Sequence, residues 1–188
     1  MQPIEIARWA VGAAYAVVLA SAAYTDVKGR RIPNWTVLAV MGLFVVWIFV
    51  GPAVSVLSAL EAAGIGLAVT AALYMAGMLG AGDSKLFTAV ALFAGMTYLP
   101  HLALATVLAG GVIALGIMVA RPTRAMAMLT LRSKGDFGQG IPYGVAIALA
   151  GVLIVFGPML GFVLPFGAGP PITTQDIAKA LAGHAIHR

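Results

Sequence analysis

Two carboxylates stand at one edge of an otherwise apolar chain: Asp26 closes the first hydrophobic run, and Asp83 ends the tetrad Gly80-Ala81-Gly82-Asp83. An ionised side chain at membrane depth costs roughly 3 kcal/mol on insertion scales, so intramembrane acids mark functional sites and call for a partner. Each of these acids is the natural partner of the other. Side by side in a poorly solvated place, two carboxyls cannot both ionise cheaply and tend to share one proton. The pair then holds a base and an acid together. The base can take a proton from water as the water oxygen attacks a peptide carbonyl, while the acid hydrogen-bonds the carbonyl oxygen and later supplies the leaving amine. That is aspartic peptide hydrolysis, and it needs no metal or other cofactor.

Helix polarity suggests how the roles divide. Asp26 falls at the C-terminal end of its run, where the helix dipole disfavours negative charge, and Asp83 at the start of the next acid-bearing run, where it favours it. On that ground Asp83 is the expected ionised base, although a coupled pair titrates as a unit. Gly80 and Gly82 allow backbone to approach closely, which would let an extended substrate come near Asp83. Packing of small residues between helices accounts for either glycine equally well.

The elements that must position these acids are set by the medium. Of the 188 residues 62% are hydrophobic and only 9% charged, with a mean hydropathy of +1.03, against roughly 25% charged in soluble domains. The solvent is lipid, and the expected fold is all-α and polytopic. There is no cysteine, which excludes a disulfide framework, a thiolate metal site and a cysteine nucleophile. Apolar runs of the length a bilayer demands give six spans, near Ile4–Tyr24, Trp35–Val50, Ala62–Leu79, Leu86–Leu99, Leu102–Ala120 and Ile141–Leu164. The fourth is short and needs residues from Gly82 onward, or local thinning of the bilayer, to cross. Residues 1–165 thus form one six-helix domain, and 166–188 a polar tail rooted at Pro170-Pro171.

Charge sets the sidedness. If the first connection is cytoplasmic, Lys28, Arg30, Arg31, Lys85, Arg121, Arg124, Arg132 and Lys134 share that side and only Arg8, Lys179 and Arg188 lie outside, as the positive-inside bias requires. Both chain ends are then outside, the tail is periplasmic, and Asp26 and Asp83 share the cytoplasmic edge. The net charge of +5 reflects this bias and not a nucleic-acid partner. Arg8 and the small residues Ala20-Ser21-Ala22 imitate a signal peptide with its cleavage site; the weak basic start and the length of the run favour a retained span that carries Asp26.

Thr25-Asp26, then Ile32-Pro33-Asn34, then Gly80-Ala81-Gly82-Asp83-Ser84-Lys85-Leu86, then Ile141-Pro142-Tyr143-Gly144 opening the last span make the chain resemble the type IV prepilin peptidase family of Gly-x-Gly-Asp intramembrane aspartic proteases. The resemblance covers essentially the whole chain. It implies that Asp26 and Asp83 are the catalytic pair. It also implies a protein substrate, the precursor of a pilin or pseudopilin, whose short basic leader is cut at the cytoplasmic face of the bacterial inner membrane, typically after a glycine that precedes a hydrophobic stretch. The cysteine-bearing cytoplasmic region of the bifunctional family members has no counterpart here, so methylation of the new pilin terminus is not expected. The short form most resembles the peptidases of tight-adherence (Flp) pili.

The remaining polar residues have plainer readings beside the functional ones. Lys85 either biases the charge of the pair or marks the inner boundary of its helix. Pro33 and Asn34 suit the entry of the second helix. Asp136, in a basic, Gly-rich loop, reads as a solvated charge, with contact to a basic leader as its functional alternative. Met126 and Met128 read as boundary packing. Glu61 is expected at the outer end of the third span, and His101, His184 and His187 lack metal-ligand spacing. A transporter using the two acids as a proton or cation relay is the rival reading; it calls for polar groups through the bilayer depth, whereas the acids here cluster at one edge. A pseudo-enzyme that packages pilus components is a third reading, against which the intact acid pair argues.

The topology makes a direct prediction. A single cysteine introduced at Gly29 is expected to resist an impermeant maleimide added to intact cells and to react once the membrane is opened; labelling from outside would overturn the orientation.

Overall fold

A computed structural model describes residues 2–51, 55–120 and 142–161. Among them are five helices, α1 Pro3–Gly29, α2 Asn34–Val50, α3 Val56–Met75, α4 Ala81–Ala120 and α5 Tyr143–Met159, and no strand. The chain is a membrane protein, all-helical among the described residues. By length and composition α1, α3 and residues 81–119 of α4 can each cross a bilayer, and α2 and α5 are shorter apolar helices. Asp136, Met126, Met128 and the tail 166–188 lie outside the described residues.

Local chemistry sets the helix ends. Pro3 occupies the first position of α1, where its missing N–H costs nothing, and the Glu5 carboxylate accepts the Gln2 backbone N–H at 3.0 Å. The helix ends at Arg30, whose N–H donates to the Asp26 carbonyl at 2.8 Å from a left-handed conformation, φ 51° and ψ 36°. Pro33 then caps α2, its carbonyl accepting the Thr36 hydroxyl at 2.7 Å. The expected role of Pro33 and Asn34 in starting the second helix agrees with this geometry.

The largest departure from the sequence expectation is where the fourth and fifth runs divide. A straight 40-residue helix would be about 60 Å long, twice the roughly 30 Å of a hydrocarbon core. The chain breaks it at Gly95, with φ 57° and ψ −179°, several residues before the expected division beside Pro100. That conformation belongs essentially to glycine. The freed backbone N–H of Met96 donates to Ser58 Oγ at 2.9 Å, so the break leaves this donor satisfied. Pro100 falls early in the second arm, and His101 is buried inside α4 against the Tyr98 ring and not in an outer connection.

The contacts of the two arms show that the chain reverses at Gly95. In the first arm Ser84 meets Thr70 near the end of α3, whereas Met96 meets Ser58 near its start. Gly110 of the second arm then packs on Tyr143 at the start of α5, where an added Cβ would lie 3.2 Å from the ring. Residues 83 and 110 are therefore at the same end of the bundle. α1 and α5 run antiparallel, with Gly12 against Phe156 and Gly151 against Tyr15 and Leu19. The first arm is the centre of the molecule: Leu86, Phe87, Ala89, Val90, Ala91, Leu92, Phe93 and Ala94 are all buried, and Phe93 meets Tyr15, Phe44 and Trp47.

Gly95 is thus the residue on which the reversal rests. Gly95→Val is expected to destabilise the folded protein by about 1–3 kcal/mol, the usual cost of a residue forced into such a conformation, measured as a loss of thermal stability in detergent; an unchanged midpoint would show that the reversal does not depend on glycine.

Candidate functional site

Asp26 lies in the last turn of α1 and is 6% exposed. Its Oδ2 accepts the backbone N–H of Gly144 at 2.9 Å, and the Val145 amide also faces the carboxylate. Both amides belong to the first turn of α5, where N–H groups lack the usual i−4 acceptor, although Val145 N–H also reaches the Pro142 carbonyl at 3.2 Å, and where an anion is favoured. The contact requires glycine, since a Cβ at position 144 would stand 2.8 Å from Asp26 Oδ2 and 3.0 Å from Ile32 Cδ1. The polarity argument from sequence, which counted α1 against Asp26, therefore lacked a second helix end. α5 offsets α1.

Asp83 lies in the first turn of α4, half-buried. Its carboxylate turns back toward Gly80, whose amide faces it and where a Cβ would come within 2.9 Å of Oδ2. The other oxygen, Oδ1, is buried and has no hydrogen-bond partner among the described residues. Asp26 and Asp83 are near enough to interact electrostatically, and Arg30 interacts with both.

Two apolar or neutral contacts hold the acids' helices at this spacing. Ile32, just after α1, is wedged between the start of α4 and the start of α5: a Cβ at Gly82 would lie 3.2 Å from Ile32 Cβ, while the tip of the same side chain rests on Gly144. On the opposite side Thr70 and Ser84, both buried, share a hydrogen bond of 2.8 Å, and Thr70 also donates to the Gly66 carbonyl at 2.7 Å. A buried hydroxyl pair left unmade costs about 1–3 kcal/mol, so this contact pins the first turn of α4 to α3. Gly82 is needed for close approach. Gly80 leaves room for the Asp83 carboxylate.

Lys85, one of the residues singled out in sequence, reaches Asn34 Oδ1 at 3.4 Å and so ties the start of α4 to the start of α2. The cation coupled to both acids is Arg30. Glu61 is exposed on α3, apart from the site. No group of three or more His, Cys, Asp or Glu among the described residues is arranged to hold a metal. Sequence reasoning passed over Arg30, Ile32, Thr70 and the Gly144 amide as parts of this site. Ile32 and Gly144 stood inside the motifs, but their contacts join segments far apart in the chain, 118 residues for Gly144 and Asp26, and leave no mark in spacing.

These features define an all-helical membrane protein whose two acids meet at one end of the bundle. A model described as the type IV leader peptidase family matches residues 13–115, more than half of the 188-residue chain. The chain belongs to that family. It is accordingly a peptidase whose substrate class is a leader-bearing protein. The match runs from α1 into the second arm of α4 and includes both acids; α5 lies beyond it. Neither a search of characterised proteins nor one of solved structures finds a match.

Arg30 yields a test in which stability and activity separate. A non-glycine residue in the left-handed region carries a cost of roughly 1–2 kcal/mol, which Arg30→Gly relieves while removing the cation beside both acids. We expect thermal stability in detergent to hold or rise and leader cleavage to fall; parallel loss of both would make Arg30 a structural residue only.

Proposed function

We propose that this protein is an intramembrane aspartic endopeptidase that removes the short basic leader of type IV pilin or pseudopilin precursors at the cytoplasmic face of the inner membrane, with Asp26 and Asp83 as its catalytic dyad. The observation that carries the reading is the meeting of these two acids, both inside the family match, at one end of the helix bundle. Six crossings with both ends outside, the two arms of α4 counting separately, complete the proposal.

The chemistry follows from the pair. One carboxylate takes a proton from a water molecule as the water oxygen bonds to the scissile carbonyl carbon. The protonated partner hydrogen-bonds the carbonyl oxygen as charge develops on it. Collapse of the tetrahedral species breaks the C–N bond, the amine departs with a proton from the dyad, and the single shared proton is restored. Asp83 Oδ1, buried and without a hydrogen-bond partner among the described residues, supports this use, because a carboxyl oxygen with no protein donor is left to carry or accept the dyad's proton.

Placement dictates how substrate must arrive. With the acids at the cytoplasmic edge, the precursor's hydrophobic segment lodges among the helices and its basic leader projects into the cytoplasm, where Asp136 is a candidate contact. A helical precursor hides its carbonyls in hydrogen bonds, so a glycine before the cut helps by loosening the helix, at roughly 1 kcal/mol relative to alanine.

Asp26→Asn and Asp83→Asn each keep the side chain's shape and lose its proton chemistry. Either is expected to leave the protein inserted and to lower precursor processing, followed by gel shift, by at least about 10²-fold, the low end of general acid–base contributions. A variant that keeps more than a few per cent of the wild-type rate would sink the dyad. Restoration of chelator-treated enzyme by zinc would instead make the acids metal ligands.

A further inference from the structure

Gly144 lies outside the residues that define the family match, yet it reaches one of the two acids from another helix, its N–H donating to Asp26 Oδ2 at 2.9 Å. The surroundings show why this contact is built in. Pro142 precedes α5 and fixes the direction in which its first turn opens. Asp26 and Gly144 are both buried, so no bulk water competes for the bond. The amide lies in the first turn and owes nothing to its own helix; its acceptor is the carboxylate. A side chain at 144 would occupy the space the carboxylate and Ile32 now fill.

We propose that the Gly144 backbone amide is a positioning group of the peptidase site, holding the Asp26 carboxylate in the rotamer and orientation in which its other oxygen faces Asp83 and the scissile peptide. The inference rests on the dyad reading and adds to it a part of the site contributed by the last helix. Gly144 acts through Asp26 and does not touch the reacting atoms. Its glycine serves two separable ends: the absence of a Cβ admits the carboxylate, and the N–H orients it.

The two ends call for different substitutions. Cell-free synthesis into nanodiscs, with glycolic acid delivered at position 144 by nonsense suppression, replaces the N–H by an ester oxygen and adds no side chain. Leader removal is then compared with wild type, with the same ester placed at Gly151 as a control for loss of an ordinary α5 amide, and with Asp26→Asn. We expect the ester at 144 to lower kcat at least tenfold with KM within twofold, and the ester at 151 to lower thermal stability with kcat within twofold. Full activity of the ester at 144 beside an inactive Asp26→Asn overturns the positioning role and leaves the dyad standing. A raised KM with unchanged kcat also overturns it, by moving Gly144 to substrate binding. Activity in Asp26→Asn overturns the dyad itself. Should the ester at 144 fail to fold, amide hydrogen exchange at Gly144 decides the matter, slow in wild type and at least tenfold faster in Asp26→Ala; equal exchange in both overturns the proposal.

Discussion

For two helices packed side by side, a carboxylate at the end of one can accept an amide from the start of the other where they run antiparallel and end at the same level, and at this contact a side chain has no room. The Asp26–Gly144 hydrogen bond imposes all three conditions on α1 and α5, and the rest of the bundle is consistent with them. Gly12 receives Phe156 and Gly151 receives Tyr15 and Leu19 along the same interface. Small residues bring the helix axes close, as packing within lipid requires when apolar surface gains little from burial against other apolar surface.

The second acid is placed by a different device. α4 must start at the level of Asp26, climb through the densest part of the core and return, because a straight helix of its length would overrun the bilayer. The reversal at Gly95 solves this within one residue, and Ser58 takes up a backbone donor that the reversal exposes. Membrane interiors do not tolerate unsatisfied backbone, so a glycine and a hydroxyl on the neighbouring helix form one functional unit. At the other end of the same arm, Thr70 and Ser84 hold the Asp83 turn against α3, and Ile32 separates it from Gly144. Asp83 is thus fixed by contacts on either side that involve no charge.

The family match ends within α4, while the site as built extends to α5. The two acids are carried by the first four helices, and part of the polar environment of one of them comes from the fifth. Buried charges in membranes are held by such backbone donors as much as by ion pairs. Arg30 adds a cation at the exposed rim, in a left-handed conformation of the kind that accumulates at functional sites.

Much of this was legible in the residues alone. Composition determined the solvent, apolar run length determined the helices, and the isolation of Asp26 and Asp83 in apolar sequence marked them, because lipid penalises a charge wherever it falls and so makes each exception informative. The starts of α1 and α2 were likewise local matters of proline and capping. What only the tertiary structure decided lies in contacts between distant segments. The division of α4 at Gly95 and not beside Pro100 depends on where α3 offers Ser58. The electrostatic setting of Asp26 depends also on α5, whose Gly144 amide arrives 118 residues further along the chain, so an argument from its own helix end covered only part of it. Ile32 as a spacer, Thr70 as an anchor and Arg30 as the shared cation have no signature in spacing, since a side chain's role between two helices is set by which helices meet and not by its neighbours in sequence.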